Sequence, residues 1–194
     1  MDLSFACRCG ALSGTLEEAD ASDGRKMVCY CRDCRAAARH FGVLDALEPG
    51  GGSPLVQVLP ARLKIAQGAD KLGCLRLSPK GLHRWHATCC GTPVANTIGA
   101  AAFPLAGIWL PLLSDRDGIP GRTAQVFTKQ ARPRAQAPRR DRGVFWVAGG
   151  IASRGIGALR DGRLRAGPFF TDDGEPVAVP HVLTTDERRA AYAK

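Results

Sequence analysis

The sequence predicts a mainly β protein, and three observations carry that prediction. Short runs of alternating or β-branched residues recur through the first hundred positions. Glycine, proline or aspartate punctuates most of the gaps between them, and one helical pattern stands out among them.

In chain order, strands are predicted over 11–16, 26–30, 55–59, 62–66, 72–77, 82–87 and 93–97. Turn signals separate them at Gly50-Gly51-Gly52, Gly68-Ala69-Asp70 and Ser78-Pro79-Lys80-Gly81. The helix is predicted over 33–41: it is alanine-rich, Asp33 is placed to cap its start, and Gly42 stops it. The apolar stretch 97–113 is broken by Pro104 and Pro111 and falls short of the ~20 residues of a membrane span, so it reads as a buried strand or helix pair.

Composition shifts after Leu113. Between 121 and 142 stand seven basic residues and a single acid, Asp141, and Pro133 and Pro138 oppose a continuous helix. That segment reads as a mobile cationic loop or linker. Beyond it, 143–148 reads as a strand and 186–193 as a helix. The organisation expected is a β domain over 1–115 with an extension over 116–194 packing on it.

The 194 residues are 45% hydrophobic, which excludes global disorder and permits a core without covalent staples. Lys and Arg number 27 against 18 acids, a net charge of +9 that favours anionic partners. The start Met1-Asp2-Leu3 lacks the basic and apolar regions of an export signal, which points to the cytoplasm, where thiols stay reduced. Eight cysteines in 194 residues lie well below the roughly 8–10% of a disulfide scaffold.

Their placement carries the chemistry. Seven fall in three tight motifs: Cys7-x-Cys9-Gly, Cys29-x-Cys31-x-x-Cys34-Arg and Cys89-Cys90-Gly. Inert buried cysteines have no reason to cluster, whereas short spacers let thiolates converge on a tetrahedral Zn²⁺ at about 2.3 Å. Cys74, isolated in an alternating run, reads as a core residue. The chain contains no phosphate-binding G-x-x-x-x-G-K-[ST], no G-x-S-x-G and no H-E-x-x-H.

These motifs, followed across a β-rich span by Cys90-Gly91-Thr92-Pro93, resemble the family of glutathione-dependent formaldehyde-activating enzymes and centromere protein V. The resemblance covers about the first half of the chain. It implies a β-tent fold with a short helix after the C-x-C-x-x-C motif, a structural Zn²⁺ and a second Zn²⁺. Cys7, Cys9 and Cys90 match the structural site. Cys29, Cys31 and Cys34 match the second, whose three thiolates leave a position open to substrate. The family pattern puts a further cysteine at position 87, where this chain has Ala87. The fourth structural ligand is then Cys89, or else His86, and two adjacent cysteines on one metal imply a strained turn.

The reaction implied is addition of glutathione's thiol to formaldehyde, the carbon–sulfur lyase chemistry of S-(hydroxymethyl)glutathione synthase. Arg8 and Arg35, each beside a metal cysteine, are placed to pair with carboxylates of such an acidic thiol, or else are solvated surface arginines. The alternative is a non-catalytic zinc-stabilised module that binds nucleic acid or a protein, with the basic 121–142 segment meeting phosphates. Phe127 is the only aromatic in that segment, so base stacking has little support there.

Overall fold

The computed structural model describes residues 2–18 and 24–193. Among these, β1 (Leu3–Ala6), β2 (Ser13–Leu16) and β5 (Leu63–Gln67) form a small antiparallel sheet in that order. A second sheet has eight strands. It runs β10 (Ala124–Val126), β3 (Arg25–Cys29), β4 (Ser53–Val58), β9 (Ala106–Trp109), β8 (Pro93–Thr97), β7 (His83–Ala87), β6 (Leu72–Arg76) and β11 (His181–Val182). Neighbours pair antiparallel except at the two edges, where β10 joins β3 and β11 joins β6 in parallel. The protein is mainly β.

Alternation explains the small sheet. In β1, Leu3 and Phe5 point into the core while Ser4 and Ala6 face out. The inner strand β4 is buried at all six positions, as expected of a strand covered on both faces. One core joins both sheets: Leu12, Leu16 and Leu63 meet Val56, Val94, Ile108 and Trp85, all fully buried. The C-terminal part of the chain closes it. Phe169 packs on Trp85 with ring centroids 5.1 Å apart, and Ile119 is also fully buried.

Helix α1 spans Arg32–His40, and its first turn differs from the sequence expectation. The cap is Cys31 rather than Asp33: the Cys31 sulfur accepts the Cys34 N–H at 3.3 Å, the role a cap oxygen usually plays. The helix ends as predicted at Gly42, where φ of +67° lets Val43 N–H reach Ala38 O and Gly42 N–H reach Arg39 O.

Two expectations for the C-terminal half are corrected. Residues 143–148 are not a strand but open α2 (Val144–Arg160). Its buried positions, Val147, Gly150, Arg154 and Ala158, recur at helical spacing, and that packing overrides the β preference of the V-F-W-V run. The 121–142 segment is not a linker either, because β10 lies within it and extends the large sheet. Of the two readings of 97–113, the buried strand holds: the stretch supplies β9 and a 3₁₀ turn. A last helix, α3 (Thr185–Ala191), starts with a capping box in which Thr184 and Glu187 satisfy each other's backbone N–H groups. No helix among the described residues is long and apolar enough to cross a membrane.

Candidate metal centres

Two turns bring four cysteines together. The first follows β1, where Cys7 N–H donates to Leu12 O and Gly10 takes a φ of +78°. The second joins β7 to β8, with Gly91 at +71° accepting the reversal of direction. Cys7, Cys9, Cys89 and Cys90 thereby place all four sulfurs within 4.8 Å of one another. The sulfur–sulfur separations are 3.6 Å (Cys7–Cys9), 3.8 Å (Cys7–Cys89), 3.3 Å (Cys9–Cys89) and 3.9 Å (Cys89–Cys90). A tetrahedron with metal–sulfur bonds of about 2.3 Å has edges of about 3.8 Å, so the donor set suits one Zn²⁺-sized ion.

The adjacent cysteines need no strained backbone. The left-handed residue in that turn is Gly91, and neither Cys89 nor Cys90 has a positive φ. The strain expected from two neighbouring ligands is absent because the glycine absorbs the turn. His86 stands apart from the four sulfurs, with its ring 5.0 Å from that of Phe41. Polar groups surround the cluster: Leu12 N–H donates to Cys7 Sγ at 3.3 Å, and Thr92 Oγ1 lies 3.0 Å from Cys90 Sγ. Arg8 anchors here too, its guanidinium on Cys90 O at 2.7 Å and its N–H on Thr92 Oγ1 at 3.1 Å. The cluster ties the small sheet to the large one.

The second group is local in sequence. Cys29 ends β3, Cys31 caps α1 and Cys34 lies in its first turn, so strand end and helix start aim three sulfurs at one point within 4.8 Å. No fourth Cys, His, Asp or Glu ligand atom among the described residues joins them. Without a cation the three thiols share charge unevenly. Hydrogen bonds from Cys29 and Cys31, and further out the Arg84 guanidinium, hold Cys34 well below the ordinary thiol value against the opposing effect of burial. The Cys29 thiol is pushed up, first by its hydrogen bonds to Cys31 and Cys34 and then by burial. A divalent ion reverses that frustration, since coordinated thiols are deprotonated outright.

A cavity of about 440 Å³ opens onto this trio. Its floor is apolar, with Met27, Leu55 and Leu105, and its polar lining includes Gln57, Arg84, Asn96 and Gln130. Arg84 is buried; its Nη1 donates to Asn96 Oδ1 at 3.1 Å and lies 4.0 Å from Cys34 Sγ. Register explains the pairing, because Arg84 and Asn96 stand directly opposite on β7 and β8. Arg84 Nε and Gln57 Oε1 are buried without a hydrogen-bond partner among the described residues.

The cationic segment furnishes one wall. Val126 on β10 pairs with Cys29, and Phe127 and Gln130 then line the cavity. Phe127 sits at a φ of +58°, uncommon for a bulky residue. Asp141 holds it there: its carboxylate accepts Phe127 N–H at 3.0 Å, Thr128 N–H at 2.8 Å and the Thr128 hydroxyl at 2.7 Å.

Arg35, by contrast, does not line this cavity; it faces a groove on the outer side of α1 with Arg132. Cys74 is buried in the core, outside both sulfur groups, and desolvation pushes its thiol up to about 11. Arg84, Asn96, Phe127 and Gln130 escaped the sequence reading; cross-strand register brings the first two to the site and β10–β3 pairing the others.

Residues 2–178 match the model of a family described as a family of unknown function, DUF6151. Curated proteins yield no match. A crystal structure of a Rhodobacter sphaeroides protein, a structural-genomics target, is similar at 18% identity over 63% of this chain and 99% of that one, with a TM-score of 0.40. So distant a likeness transfers neither fold nor function.

Proposed function

For this chain, which belongs to the DUF6151 family, we propose a zinc protein with one structural centre and one open, thiol-binding centre. The proposed reaction is carbon–sulfur bond formation or cleavage on a glutathione-type thiol and an aldehyde, on a β-tent scaffold like that of the formaldehyde-activating family. The observation that carries it is a three-cysteine group facing a cavity large enough for a small peptide, with no fourth protein ligand atom joining it among the described residues.

Cys7, Cys9, Cys89 and Cys90 are the residues for the structural ion, and Cys29, Cys31 and Cys34 for the open one. Bound at the trio, a zinc ion supplies positive charge that keeps an incoming thiol deprotonated at neutral pH. The chain's own residues do the rest. Met27, Leu55 and Leu105 exclude water from the reacting sulfur, and Gln57 and Asn96 offer hydrogen-bonding groups to a peptide-like ligand. In the bond-forming direction the thiol sulfur attacks the aldehyde carbon, and the proton released by the thiol ends on the former carbonyl oxygen. Arg84 places a fixed positive charge beside Cys34, which stabilises the sulfur-rich end of the cavity. Reduced thiols are required throughout, so a reducing cytoplasm is the compartment this reading calls for.

Cobalt substitution followed by titration with glutathione tests it. The reading expects the sulfur-to-cobalt absorption to change saturably, and Cys31→Ser to abolish the change. A silent spectrum at full metal loading overturns the open site and leaves a zinc-stabilised binding module.

A further inference from the structure

Helix α1 has two chemically distinct faces. Cys34, Ala37 and Ala38 turn inward, whereas Arg32, Arg35 and Arg39 stand at i, i+3 and i+7 on the outer side. With Arg132 these three line a groove of about 740 Å³, closed by Pro133 and Tyr192, and among the described residues no carboxylate belongs to its lining.

Two of these arginines are held by backbone carbonyls. Arg35 Nη1 donates to Gln130 O at 3.1 Å, and Arg132 Nη1 donates to Ala131 O at 2.8 Å. Arg132 N–H donates in turn to Gly50 O at 2.9 Å, fixing the loop that carries it. At the rim, Arg32 Nε is 3.5 Å from Asp33, whose carboxylate also accepts the Tyr192 hydroxyl at 2.7 Å. Elsewhere on the surface, cations meet acids directly: Lys71–Asp70 at 2.7 Å, Arg163–Asp161 at 2.9 Å and Arg189–Asp186 at 2.7 Å.

We infer that the groove formed by Arg32, Arg35, Arg39 and Arg132 binds a small ligand through a diphosphate or triphosphate group. Four guanidinium forks on one concave surface call for several negative charges in a small volume. Condensed phosphate supplies these with the bidentate geometry that arginine prefers, while a carboxylate supplies one charge per group. Guanidiniums already oriented by backbone carbonyls, as those of Arg35 and Arg132 are, lose little freedom when such an anion arrives. A single-stranded nucleic acid fits less well. Among the described residues Tyr192 is the only aromatic side chain lining the groove, and the Arg32 and Arg188 guanidiniums already lie 5.6 Å and 5.8 Å from its ring centre. The inference does not depend on the zinc reading: none of its residues is a sulfur ligand, and of the four arginines Arg32 alone also lines the cavity at the trio.

Calorimetric titration of the full-length, metal-loaded protein with pyrophosphate at about 0.15 M salt tests it, since screening at that ionic strength suppresses diffuse charge effects. Saturable one-to-one binding is expected. Arg35→Gln with Arg132→Gln should weaken it about a hundredfold, about tenfold per arginine, while Arg140→Gln, an exposed charge outside the groove, should leave it unchanged. Should the double variant fail to fold, Arg39→Gln alone gives the same comparison at about tenfold. Absent saturation, an equal loss in Arg140→Gln, or binding of a long oligonucleotide that pyrophosphate does not displace each overturns the inference.

Discussion

The Arg84 guanidinium lies 4.0 Å from the sulfur of Cys34, with the arginine buried in the large sheet and its Nη1 bound to Asn96. Three thiolates around a divalent ion carry one net negative charge, and Arg84 is the buried cation that balances it. Arg84→Met keeps the bulk and removes the charge. The expected outcome is a 10–100-fold loss of metal affinity at the trio, with the four-cysteine centre unaffected. Chelator competition checks this, with one metal equivalent leaving early and the other on the wild-type curve.

The two sulfur groups differ in what they hold together. Cys29, Cys31 and Cys34 span six residues of one strand–helix junction, so losing a ligand there leaves the sheets paired. Cys7 and Cys9 reach across to Cys89 and Cys90 and tie two sheets. Cys31→Ser should therefore remove about one metal equivalent while the chain keeps its circular dichroism spectrum. Cys9→Ser should lose the other equivalent and lower the melting temperature, because metal binding at a structural site is folding free energy. Metal analysis beside a thermal melt separates the two, and unfolding of Cys31→Ser would exchange the roles.

How much of this the sequence disclosed depends on the range of each signal. The C-x-C-x-x-C trio and the stop at Gly42 are local, and spacing alone shows them. The partnership of Cys7 and Cys9 with Cys89 and Cys90 is not local, and the resemblance to the formaldehyde-activating family is what suggested it. The residues that shape the cavity left no such mark. Arg84 arrives through its register with Asn96, and Phe127 and Gln130 through the pairing of β10 with β3, almost a hundred residues away. A basic run reads as a solvated loop until that pairing is known. Helix α2 was missed because its buried positions are Val147, Gly150, Arg154 and Ala158, which carry almost no hydrophobic period.

Gly68 is a turn residue that admits no substitute. Its φ is +72°, and a Cβ there would meet Ala11 O at 2.0 Å, a backbone atom that cannot swing aside. The small sheet depends on this approach, since Gln67 pairs with Ser13 immediately before it. Gly68→Ala combines a left-handed alanine with a steric clash and should cost about 3 kcal/mol, read as a lower urea midpoint with unchanged slope. Gly10→Ala is the control: it is also left-handed, but its Cβ meets nothing within 4 Å, so its cost should be about 1 kcal/mol.

Asp141 is the one acid of the basic segment, and its carboxylate fixes the backbone that forms the cavity wall. Desolvation works to raise its pKa, but the hydrogen bonds from the Thr128 hydroxyl, Thr128 N–H and Phe127 N–H prevail and hold it below the ordinary 3.8. A carboxyl whose folded pKa is depressed contributes stability above its unfolded value and loses it as pH falls through the folded one. The contribution should therefore be intact at neutral pH and fade below about pH 4, in proportion to protonation of this group. Asp141→Asn keeps the size but neither the charge nor all three acceptor contacts. After allowance for the solvent around this exposed group, the loss at pH 7 should be about 1 kcal/mol. As pH falls through the depressed folded pKa, the variant and the wild type should converge in stability. Because Phe127 is held left-handed by these same contacts, the proposed thiol-binding role of the cavity expects the variant to bind glutathione more weakly at neutral pH while retaining its metal. Unaltered thiol binding in a destabilised Asp141→Asn would detach the Phe127 wall from the function of the trio.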